Sequence, residues 1–71
     1  MQVPEIIKRY VKSAGFPEAA YVGRLDKYDV FSAFDPDFPY IGLPQFILYI
    51  EKAKPRWATI EETEEIMKMH L

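Results

Sequence analysis

The chain has 71 residues, is 49% hydrophobic and 15% aromatic, contains no cysteine and carries a net charge of −2. A chain this short makes one domain, residues 1–71, because either half of a split would be too small to hold a core. The composition excludes a disordered segment, a disulfide-stapled scaffold and a thiolate zinc site. The acidic balance also argues against a surface built mainly to hold a phosphate backbone. No stretch has the pattern of a secretory leader. The longest apolar run, Phe46 to Ile50, is far below the roughly 20 residues of a membrane span. The expectation is a soluble, cytoplasmic domain that does not engage a membrane.

Residues 4–14 read as a helix. Pro4 suits a helix start and Glu5 favours the positive end of the macrodipole. Ile6, Ile7, Tyr10, Val11 and Ala14 recur at helical spacing, with Lys8, Arg9 and Lys12 on the other side. Gly15 offers a left-handed stop, and Pro17 prevents the helix from resuming. Ala20 to Leu25 then reads as a strand, with Gly23 marking a bulge or a close approach of another group. Asp26-Lys27 is the turn, and Tyr28 to Phe34 is the return strand.

Residues 35–44 read as a loop, since prolines at 36, 39 and 44 exclude a regular ladder. Gln45 to Glu51 is the clearest strand, and its apolar run predicts cover on both faces. Pro55 to Ala58 reads as a short edge strand. The last element is a helix from Ile60 to about His70, opened by the capping box Thr59-x-x-Glu62. Helix, three or four strands and helix, joined by short connections, predict an α+β domain with an antiparallel meander. The simplest arrangement has two layers, with both helices on one face of the sheet.

Catalytic material is sparse. The single histidine, His70, is next to the end of the chain, and only Ser13 and Ser32 supply serine hydroxyls. Asp26, Asp29, Asp35 and Asp37 read as turn chemistry, because a calcium loop needs a denser run of oxygen donors. Gly15, Gly23 and Gly42 stand apart and form no phosphate-binding loop. The expectation is therefore no enzyme, no metal site and no cofactor.

Two binding surfaces remain. With both helices on one face, Phe46, Leu48 and Ile50 meet them, while Ile47 and Tyr49 face away. Phe38 and Tyr40 of the loop could cover that second face. Otherwise Phe38, Tyr40, Ile47 and Tyr49 form a surface for a protein partner or for a homodimer. The alternative is a nucleic-acid-binding module on the basic-aromatic hairpin of residues 49–57, with Lys52, Lys54, Arg56 and Trp57 holding backbone and bases. A non-catalytic protein-interaction or self-association module is the preferred reading.

Overall fold

The computed structural model describes residues 2–37 and 45–70. Its elements are α1 (Glu5–Ser13), β1 (Glu18–Leu25), β2 (Tyr28–Phe34), β3 (Gln45–Tyr49), β4 (Arg56–Trp57) and α2 (Ile60–His70). The strands form one antiparallel sheet in the order β1-β2-β3-β4. The α+β class, the meander and the flanking helices are those expected from the sequence.

Helix α1 begins one residue later than its pattern indicated. Pro4 is extended and serves as the N-cap, its carbonyl accepting bonds from the N–H groups of Ile7 and Lys8. The other end is a Schellman stop. Gly15 is left-handed at φ 95°, its N–H donates to the Lys12 carbonyl, and the Phe16 N–H donates to that of Val11. This double bond pattern satisfies carbonyls that the last helical turn leaves orphaned. Phe16 and Val11 also meet in the core.

The capping box on α2 forms as expected. Glu62 accepts from the Thr59 N–H at 2.9 Å, and the Thr59 hydroxyl accepts from the Glu62 N–H at 3.2 Å. At the β1–β2 turn Asp26 takes a left-handed conformation, φ 56°, which aspartate tolerates better than most side chains.

The layering differs from the two-layer expectation. Ile7 and Val11 of α1 pack on Phe31, Ala33 and Ile47. Ile66 of α2 packs on Val30, Phe46 and Leu48. Adjacent strand residues point to opposite faces, so the helices cover opposite sides of the sheet and the domain has three layers. Burial energetics explain why. Both faces of β2 and β3 are apolar, and each large apolar side chain left in water would forfeit about 1.5–3 kcal/mol. One helix per face buries both sets.

The strand bounds also shift. β1 starts at Glu18, two residues before its expected start, and β3 ends at Tyr49. Between Tyr21 and Gly23 the register with β2 slips, so Val22 is the extra residue of a bulge. Gly23 marks both the bulge and a close approach. A Cβ there would lie 2.8 Å from Nδ1 and 2.9 Å from Nε2 of His70.

Candidate partner-binding surfaces

The sheet face expected to be free is instead occupied. Ile47 is 0% exposed and lies beneath α1. It is therefore part of the core and unavailable to a partner, a correction that follows directly from the position of α1. Tyr49 is half-buried at the rim of the same cluster. Phe38 and Tyr40 lie outside the described residues, as does most of the 35–44 loop.

The basic-aromatic hairpin is split by strand alternation. Arg56 pairs with Leu48 and lies on the α2 side, whereas Trp57 pairs with Ile47 on the α1 side. Trp57 packs near Tyr10 and Phe16, with ring centroids 5.4 and 6.0 Å apart. The Arg56 guanidinium makes a bidentate bond to Glu62, both contacts 2.8 Å, and lies 5.0 Å from the centre of the Tyr28 ring. Arg56 and Trp57 therefore do not form one stacking surface. Lys52, left-handed at φ 69°, and Lys54 are exposed in the β3–β4 connection.

The ion pair has an electrostatic signature. Hydrogen bonds from Arg56, then from the Thr59 N–H, hold the Glu62 carboxyl down to about 2. The same contact with Glu62, followed by that with Tyr28, raises Arg56 above the usual guanidinium value. One carboxylate thus caps α2 and ties it to β4. The capping half of this arrangement is visible in the sequence. The Arg56 half needs the fold to bring β4 beside α2.

An acidic recess of about 280 Å³ lies near the start of α1, lined by Pro4, Asp29, Phe31, Tyr49 and Glu51. Asp29 Oδ1 is buried and has no hydrogen-bond partner among the described residues. Arg24 Nε lies 3.9 Å from it, too far for such a bond but close enough to balance its charge. The recess is answered from within the molecule.

The outer edge of β1 differs along its length. Toward the turn, the His70 ring lies against Gly23 and its Nε2 donates to the Arg24 carbonyl at 3.0 Å. With the bulge at Val22, this end is guarded. Toward its start, among the described residues, Glu18–Tyr21 have no backbone partner beyond those on β2. Beside this open half lies a groove of about 290 Å³, lined by Lys8, Val11 and Lys12 of α1 and by Pro17, Glu18 and Ala19.

In the sequence Lys8, Arg9 and Lys12 read only as the basic side of the first helix, and the first strand has no separate role. The signal that locates this surface is topological. In a meander the first strand is an edge, and a helix that immediately precedes it packs alongside. No family model, curated protein or solved structure matches this chain. The fold and the half-open edge define an α+β domain with one eight-residue edge strand flanked by a helix.

Proposed function

We propose that the domain is a non-catalytic protein-interaction module that takes an extended segment of a partner protein as an added strand beside Glu18–Tyr21. The observation that carries this reading is the open half of β1 next to the α1 groove, in a molecule that caps the other half. Unpaired strand edges invite pairing, and soluble domains commonly block them with bulges or covering groups. Here the blocking devices stop at Gly23. Main-chain hydrogen bonds to Glu18–Tyr21 would supply affinity, and alternate side chains entering the groove would supply selectivity. A reducing, cytoplasmic setting goes with this reading, since the chain has no cysteine. No described helix is long and apolar enough to cross a membrane.

The test is selection from a displayed library of ten-residue peptides, followed by N-methylation of each amide of a selected peptide in turn. Strand addition predicts that methylation at every second position weakens binding about tenfold, as expected for a lost main-chain bond. The positions between should tolerate it. Uniform tolerance, or amide shifts that avoid Glu18–Tyr21, would show that the peptide binds some other way.

A further inference from the structure

We infer that the partner strand carries carboxylate side chains at alternate positions and that Lys8 and Lys12 read them, an inference that rests on the strand-addition reading above. A strand laid beside β1 sends every second side chain to the α1 side of the sheet. Ala19 and Tyr21 define that side, since both join the α1 core. The incoming side chains there meet a groove whose lining includes Val11 and the two lysines. Neither lysine has an ion pair among the described residues. The acid of α1, Glu5, is engaged with Arg9 at 3.9 Å. Glu18 also lines the groove, but alternation with Ala19 directs its side chain to the opposite face.

The spacing agrees with the charge. Lys8 and Lys12 are one helical turn apart, a rise of about 6 Å. Same-side residues of an extended chain repeat about every 6.6–6.8 Å. Two carboxylates at positions i and i+2 can therefore each meet one ammonium group, while a basic strand would be repelled. A second copy of this chain pairing antiparallel through β1 would offer Ala19 and Tyr21, not acids, to the lysines.

The probe is a ten-residue peptide alternating Thr and Glu, compared with its Thr/Gln and Thr/Lys counterparts at low ionic strength, with binding read by anisotropy and by amide shifts. The expected order of affinity is Glu, then Gln, then Lys. Replacing both lysines with glutamate (K8E with K12E) should weaken the Glu peptide about tenfold and reverse its preference over the Lys peptide. Both positions are exposed on α1, so the variant should keep its fold. If the peptides bind at Glu18–Tyr21 without charge preference, the carboxylate inference fails and strand addition stands. If no peptide shifts Glu18–Tyr21, both fail. A concentration-dependent dimer paired through β1 would overturn the heterologous partner.

Discussion

The two ends of β1 belong to one strand, pair with the same neighbour and meet solvent differently. The Gly23–Leu25 end carries a bulge, a glycine that leaves room for a ring, and a histidine bonded to its carbonyl edge. The Glu18–Tyr21 end lies beside a groove lined by two lysines that make no ion pair among the described residues. The difference teaches that edge protection in this fold comes from α2, whose last turn reaches only as far as Gly23. The preceding helix, α1, frames the other end without covering it.

The largest expected effect would remove both ends together. Phe31 is fully buried and meets Tyr21 edge-on at 5.5 Å, next to the bulge that divides the strand. Phe31→Ala should cost about 3–5 kcal/mol in denaturant unfolding. A loss below 1 kcal/mol would mean that the sheet does not depend on this face.

A smaller change should loosen the guarded end alone. Glu62→Gln weakens the tie between α2 and β4, and with it the footing of His70. Arg56 is 43% exposed, so solvent screening discounts the pair to about 1 kcal/mol. The sign with pH follows from the lowered value of Glu62. Its folded carboxyl stays ionised below the ordinary 4.5, so the contribution is full above that pH and lost as pH falls toward about 2. In unfolding measured from pH 6 down to pH 2, wild type and Glu62→Gln should converge at the acid end. A gap that persists there would refute the role of the ion pair.

Comparable in size is Gly23→Ala. The new methyl must displace the exposed His70 ring, and φ 158° is a backbone conformation that side-chain-bearing residues rarely adopt, so the loss should be about 1 kcal/mol or somewhat more. Hydrogen exchange should quicken at Gly23–Leu25 and stay unchanged at Glu18–Tyr21. Equal quickening along β1 would erase the distinction between its ends. The smallest effect is on stability in Lys8→Ala with Lys12→Ala, expected within about 0.5 kcal/mol of wild type because both side chains are exposed and make no ion pair among the described residues. A larger loss would make the lysines structural.

Most of the local structure could be read from the sequence because its signals are themselves local. Gly15 with Pro17 marks the end of α1, and Thr59 with Glu62 marks the start of α2. Gly23 signals both the bulge and the close approach. The layer arrangement is the exception, although its clue lies in the sequence. The unbroken run Phe46-Ile47-Leu48 requires cover on both faces, and placing both helices on one side contradicts it. The fate of Arg56 and the approach of His70 to Arg24, 46 positions away, depend on long-range packing that periodicity does not encode. The partner surface expected at Ile47 vanished with the free face. The strand order instead leaves the Glu18–Tyr21 half of β1 without a second backbone partner among the described residues.

The most direct test is a residue-resolved amide titration of the intact domain with the alternating Thr/Glu peptide. The account predicts shifts concentrated at Glu18–Tyr21 and along Lys8–Lys12, with Gly23–Leu25 unchanged. Shifts centred on Gly23–Leu25, or none on β1 at all, would contradict it.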